Sequence, residues 1–297
     1  CDDKGAKKFN DFPFHADNPI PTRPRKNMSF QNAISTLLYA SIVCMLSLTP
    51  SAFAADTASL DKIMAGEHRS DANRARDVFR HPKETLEFFG VKPTSIVVEI
   101  SPGGGWYTEL LAPYLRDNGR YVAAFPAQAV KGLKSYQDKL ATKPALYDKA
   151  KIVPFGVPTA LDIRPDGGAD FVLTFRNVHN WLDDDNVDTF MKSFFNALKP
   201  GGTLGVVEHR AKPGSKLKAS LETGYVTEEY VIKHALMAGF TLDAKSEINA
   251  NPKDTKDYKK GVWTLPPVLT EGETDRAKYL AIGESDRMTL RFIKPLK

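Results

Sequence analysis

Cysteine is nearly missing from this 297-residue chain: there are two, Cys1 and Cys44, and none further on. Everything after Cys44 therefore offers no disulfide framework and no cysteine metal site. Several catalytic signatures are missing too. No Gly-Lys-Ser/Thr phosphate loop, no H-E-x-x-H zinc helix and no G-x-S-x-G nucleophile turn occurs. Charge is not strongly of one sign, 41 Lys and Arg against 36 Asp and Glu giving a net +5. The basic residues are scattered, as across Lys131–Lys151, and not interleaved with aromatics. That reads as a solvated helical face, and no nucleic-acid partner is expected.

A long apolar run is also lacking. The candidate is the stretch from Ala33 through Leu48, which is short for a membrane span. Arg23, Arg25 and Lys26 precede Met28, and Ser51-Ala52-Phe53-Ala54 closes the apolar run with small residues. This is the layout of a secretory signal peptide over 28–54, with cleavage after Ala54 and a periplasmic or secreted product. No stable span is expected after processing. Residues 1–27 carry no periodic pattern and are expected to be a non-native or disordered extension.

What the chain does have is centred on Ser95–Leu115, SIVVEISPGGGWYTELLAPYL. Ser95–Ile100 is a β-branched apolar run of the kind buried on both sheet faces. Three glycines follow, and then Tyr107, Leu110, Leu111, Tyr114 and Leu115 recur at helical spacing, with Pro113 expected to kink or shorten the helix. A strand, a glycine turn and a helix open a nucleotide-binding βαβ unit, in which a ligand lies against bare backbone N–H groups. The dinucleotide pattern fails on its third glycine, where Thr108 stands, and on the acid expected after the next strand. Instead an acid, Glu99, sits inside the strand end, which suits a ligand bearing an ammonium or sulfonium charge.

Further along, 55–90 reads as a helical segment with a cap at Ser70-Asp71; its basic residues Arg69, Arg74, Arg76, Arg80 and His81 either cover the ligand or face water, and water is the expectation. Strands are expected at Gly119–Ala124, Lys151–Pro154, Asp170–Phe175, Thr203–Val207, Thr241–Ile248 and Met288–Ile293. Helices are expected over Lys131–Tyr147, from a cap at Asp183–Asp185 to Leu198, and over Thr227–Ala238. Polar clusters arrive as two strands end: Arg176, Asn177, His179 and Asn180 after the fourth, Glu208-His209-Arg210 after the fifth. Ligands of open α/β sheets sit beyond such carboxyl ends. Of the histidines, only His179 and His209 follow sheet strands, and histidine is the side chain suited to proton transfer near neutral pH. Residues 249–285 form an insertion, either a substrate lid or a surface hairpin.

The glycine stretch resembles motif I of the class I S-adenosylmethionine-dependent methyltransferases. The order of elements from about Val78 to Ile293 is similar to that fold. EISPGGGWYTE, FRNVHNW, LKPGGTLGVVEHRA and NPKDTKDYKKGVWTLPP together resemble a group of bacterial predicted methyltransferases with secretory leaders. The resemblance implies an α/β, Rossmann-like seven-stranded mostly parallel sheet with helices on both faces, spanning 91–297 after an N-terminal helical extension. It implies S-adenosyl-L-methionine as cofactor, bound by Glu99, Ser101, Pro102, Gly103, Gly104, Gly105, Tyr107, Phe125, Phe155 and Arg176. His179, His209 and Asn177 are the implied catalytic residues, with no metal site. Two departures stand out: Ser101 replaces the first motif glycine, and Phe125 stands where relatives keep a ribose-binding acid. The expected activity is methyl transfer to a small molecule. A non-catalytic binding protein on the same fold is the alternative, and a nicotinamide oxidoreductase comes third.

Overall fold

The computed structural model describes residues 60–182 and 186–297. The expected leader at 28–54, the extension at 1–27 and the cap at Asp183–Asp185 lie outside the described residues. Seven strands form one sheet: β1 (Ile96–Ile100), β2 (Arg120–Pro126), β3 (Lys151–Phe155), β4 (Ala169–Phe175), β5 (Leu198–His209), β6 (Thr241–Ser246) and β7 (Arg287–Ile293). Their spatial order is β3-β2-β1-β4-β5-β7-β6. All neighbours from β3 to β5 pair in parallel, and β7 runs antiparallel to both β5 and β6. This is the expected sheet.

Alternate residues of the central strands face opposite ways, and both ways are apolar because helices cover both faces. Val98, Ile100, Val122, Ala124 and Val172 enter one core with Phe190, Met191 and Phe194 of the helix Val187–Ala197 and Val231 of the helix Glu228–Met237. Val97, Tyr121, Ala123, Leu173 and Phe175 enter the other with Leu86 and Phe89 of Pro82–Phe89 and Leu110, Leu111 of Thr108–Leu115. Each fully buried Leu, Ile or Phe contributes about 1.5–3 kcal/mol relative to exposure.

Proline and glycine move several boundaries from where periodicity puts them. Lys131–Tyr147 is two helices, Val130–Ala141 and Pro144–Tyr147, because the residue before Pro144 is barred from helical geometry. The helix before β5 stops at Ala197, and Lys199-Pro-Gly-Gly202 belongs to the strand, whose register against β4 shifts between Ala169 and Phe171. Pro113 lies inside a helix of only 8 residues. Ser70 caps Asp71–Arg74 as expected, its hydroxyl accepting from the Asn73 N–H at 3.2 Å.

Two longer segments behave differently from expectation. Arg69 and Arg80 of the N-terminal segment are 1% and 2% exposed and do not face water. Arg69 makes a bidentate pair with Asp77, 2.7 Å on each arm, and both guanidiniums lie near the Trp106 ring, 5.2 and 4.6 Å from its centre. Residues 249–285 carry no strand, so the hairpin reading fails. A 3-10 turn, Gly261–Thr264, and a helix, Arg276–Ile282, occupy it instead. Asp254 anchors the segment, accepting from Tyr225 Oη at 3.0 Å and from the Asp286 N–H at 2.7 Å. No helix among the described residues is long and apolar enough to cross a membrane.

Candidate functional site

The chain leaves β1 toward β2 and β3, then returns to β4 on the other side, so the loops after β1 and β4 part and open a crevice. Both strand ends carry backbone strain. Ser101 and Arg176 take left-handed φ values of 48° and 60°, a geometry costing about 1–2 kcal/mol in a non-glycine residue. Such strain is retained where the surroundings demand it, and here both residues face cavities.

Three cavities follow one another along the crevice and share walls. The largest, about 920 Å³, lies beyond β2 and β3 and is mostly apolar, with Phe125, Phe155, Trp181 and Phe190 in its walls. Ser101, Gly103, Gly104 and Asn177 separate it from a second cavity of about 320 Å³, which Glu99, Pro102, Tyr107 and Arg176 also line. Arg76, Arg80, Arg176 and Pro267 in turn separate the second from a third, about 200 Å³, where His179, His209 and Trp263 stand.

The glycines divide by role. A Cβ at Gly103 or Gly104 would meet nothing within 4 Å, so these two present bare backbone to open space. At Gly105 it would lie 3.2 Å from Tyr136 Cε2 and 3.3 Å from Thr108 Cβ. Gly105 lines none of the three cavities and is small because the turn packs there. Below the turn, Glu99 is 2% exposed, accepting from Tyr121 Oη at 2.5 Å and Thr108 Oγ1 at 3.3 Å. Burial pushes its carboxyl up to about 7, against the pull of those hydroxyls. Tyr107 stacks on Phe175 at 3.6 Å, and burial raises its hydroxyl to about 12. Asn177 ties the two strand ends together, donating Nδ2 to the Ile100 carbonyl at 2.9 Å and to Thr174 Oγ1 at 3.2 Å.

At the far end, Glu208 is fully buried at the end of β5. Its Oε2 accepts from the N–H groups of Val178 (2.6 Å) and His179 (3.3 Å), fixing the turn Val178–Trp181. Its Oε1 accepts from the His209 N–H at 2.7 Å and lies 3.0 Å from His179 Nδ1. A carboxylate only accepts, so we assign the His179 proton to Nδ1, which leaves a lone pair on Nε2. His209 Nδ1 meets Ser285 Oγ at 2.5 Å. Burial holds the His209 ring well below the usual histidine range, and His179, Arg176, Arg287 and Arg80 push the same way. The two rings are 5.2 Å apart.

His179, Glu208 and His209 bring ligand-type atoms within 4.8 Å of one another, a donor set that a divalent metal accepts. Two features work against that use. The Glu208 oxygens are already engaged by three backbone N–H groups and a ring nitrogen, and arginines surround the cluster.

Of the third cavity's other walls, Trp263, Pro266 and Pro267 belong to the insertion read as a lid or a hairpin, but the arginines were missed. Arg76 and Arg80 read as surface charge, and their buried partner Glu284 is 208 and 204 residues away. Gln128 was also missed. It lines the large cavity just after β2, where the acid is absent, and its Nε2 donates to the Val157 carbonyl at 2.9 Å. Glu208 was visible as an acid at a strand end, but its bond to His179 depends on β4 and β5 being neighbours.

No family model and no curated protein matches this chain. Solved structures do resemble it in fold. A SAM-dependent methyltransferase from Aquifex aeolicus aligns with TM-score 0.50 at 15% identity, covering 80% of this chain and 98% of its own. The cyclase SpnF aligns with TM-score 0.52 at 16% identity, covering 78% and 86%. At such identities the likeness is one of fold, which is the methyltransferase-type Rossmann arrangement described above.

Proposed function

We propose that this protein is an S-adenosylmethionine-dependent methyltransferase acting on a small molecule. The observation that carries the reading is the turn Ser101–Gly104, open on one side to a large apolar cavity and on the other to a polar one that adjoins His179. The residues present fit such a cofactor. Phe125, Phe155 and Trp181 offer apolar faces to an adenine, and Gly103 and Gly104 leave room for a ligand against the backbone. Glu99 faces the second cavity as partner for an ammonium. Gln128 supplies a polar group at β2 where Phe125 replaces the usual acid.

When bound, the cofactor would supply an electrophilic methyl on a sulfonium; the electron pair of the broken C–S bond stays on sulfur, giving S-adenosylhomocysteine. The rest falls to the protein. His179 Nε2 takes the proton that the acceptor's oxygen or nitrogen loses as it bonds to the methyl carbon. Glu208 keeps the imidazole in the basic tautomer and stabilises its cation. Trp263, Pro266 and Pro267 of the 249–285 segment wall off the cavity in which this occurs, the place of a lid.

Export is part of the same reading: the signature at 28–54 supports cleavage after Ala54.

SpnF, which shares the fold, is described as a cyclase, so chemistry has to be tested directly. Calorimetric titration with S-adenosylmethionine, S-adenosylhomocysteine and NAD is the first test, and 1:1 binding of the first two without NAD is expected. Release of S-adenosylhomocysteine with extracts of small metabolites is the second. Tight cofactor binding without release in any extract favours the non-catalytic binding protein, and binding of NAD alone sinks both.

A further inference from the structure

Four arginines gather around one carboxylate between the second and third cavities. Glu284, 4% exposed, lies 2.6 Å from Arg76 Nε, 3.0 Å from Arg80 Nε, 3.1 Å from Arg287 Nη1 and 3.9 Å from Arg176 Nη1. Burial alone would raise its carboxyl, but the arginines prevail and hold it down at about 2, so it stays ionised. Around Glu284 itself four positive charges meet one negative, and the other carboxylates nearby are Glu99 in the second cavity and Glu208 under His179. Burial, with repulsion from Arg176, Arg76 and Arg287, depresses Arg80 well below the usual range, and burial brings Arg176 down to about 10. Arg80 Nη1 is buried with no hydrogen-bond partner. Clustered, partly desolvated cations that outnumber their shared carboxylate form an incomplete set, which an anion completes.

The cluster is also where a substrate would stand. Arg76, Arg80 and Arg176 wall the third cavity together with His179, His209, Trp263 and Pro266. At about 200 Å³ it is the smallest of the three cavities along the crevice. The methyl donor's own carboxylate, entering beside the glycine turn, would offset one positive charge and leave the set still in excess. We infer that the acceptor is a small organic oxyanion, bound through its carboxylate or phosphate by Arg80 and Arg176, with its apolar part against Trp263 and Pro266 and its nucleophile toward His179. This inference rests on the proposed methyl transfer. Planar guanidinium forks are the side chains best shaped for such head groups.

The test uses the purified protein saturated with S-adenosylhomocysteine, so that the donor's carboxylate is already in place. Benzoate, phenyl phosphate and neutral benzamide are then titrated by calorimetry. One of the two anions is expected to bind 1:1, at least about tenfold tighter than benzamide, and which one does identifies the head group. Arg176→Gln should weaken that anion about tenfold while changing S-adenosylhomocysteine affinity less, and Arg176→Lys should restore part of the loss. Should Arg176→Gln fail to give a parent-like thermal melt, Arg76→Gln, which walls the same cavity, serves in its place. Absence of anion binding to the saturated protein overturns the inference and leaves the cofactor reading intact. Anion binding only without S-adenosylhomocysteine also overturns it, since the arginines would then serve the donor's carboxylate alone. If S-adenosylhomocysteine itself does not bind, the proposed function fails, whereas anion binding lost in Arg176→Gln would still uphold the anion site.

Discussion

His179 has one ring nitrogen held by a buried carboxylate, so its other nitrogen is fixed in direction. Removing the ring, in His179→Ala, is expected to lower turnover by about two to four orders of magnitude, with S-adenosylhomocysteine affinity little changed. The assay is product release against calorimetric binding, and unchanged turnover would remove His179 as base. His209→Ala is expected to cost less turnover, because that ring is engaged by Ser285 and kept neutral by burial and its cationic neighbours. Glu99 makes a different residue-scale prediction. Unfolded glutamate ionises near 4.5, whereas folded Glu99 does so at about 7. Between those values unfolding releases a proton, so stability falls as pH rises, by on the order of 3 kcal/mol in all. Denaturant titrations at several pH values should show this slope in the parent and lose it in Glu99→Gln. Ligand binding runs the opposite way. A cationic group beside Glu99 favours the ionised form, so affinity for S-adenosylhomocysteine should climb as pH passes through about 7, and the climb should vanish in Glu99→Gln.

Among the elements, the turn between β1 and the helix Thr108–Leu115 separates packing from binding within three residues. Gly103→Val places its side chain in open space at φ +58°, so its cost falls on the ligand. Gly105→Val drives a side chain into Tyr136 and Thr108 at φ +76°, so its cost falls on the fold. The expected outcome is a Gly103 variant that melts near the parent's temperature and has lost cofactor binding, beside a Gly105 variant that melts several degrees lower. Equal melting losses would contradict this division. The legible parts of the chain were those whose meaning is local. Ser95–Gly105 declares a strand and a turn within eleven residues, and His179 follows its strand by four, so both reached their places from sequence alone. The run Lys199–Gly202 misled because Pro and Gly terminate a helix and bulge a strand with equal readiness, and only pairing with β4 decides.

At the scale of the whole molecule, what sequence could not tell is which charges go inside. Arg69 and Arg80 look like solvated residues until Asp77, Glu109 and Glu284 are brought beside them. The same holds for 249–285, whose prolines and tryptophan gain meaning as cavity walls only when the segment lies over β4 and β5. The export reading has a whole-molecule test of its own. Intact mass of the exported product should place its first residue at Ala55, leaving a chain without any thiol, and a retained Cys44 would refute it.

The distance along the chain between Arg76 and Glu284 also has a consequence in time. A chain still emerging from the ribosome carries the glycine turn and both histidines well before it carries Glu284, the counter-charge that lets Arg76 and Arg80 be buried. Contacts between such remote residues close late and slow the search for the native state. The third cavity is therefore among the last parts of the protein to form, and a chain threaded through a translocation channel would reach the far side before it had one.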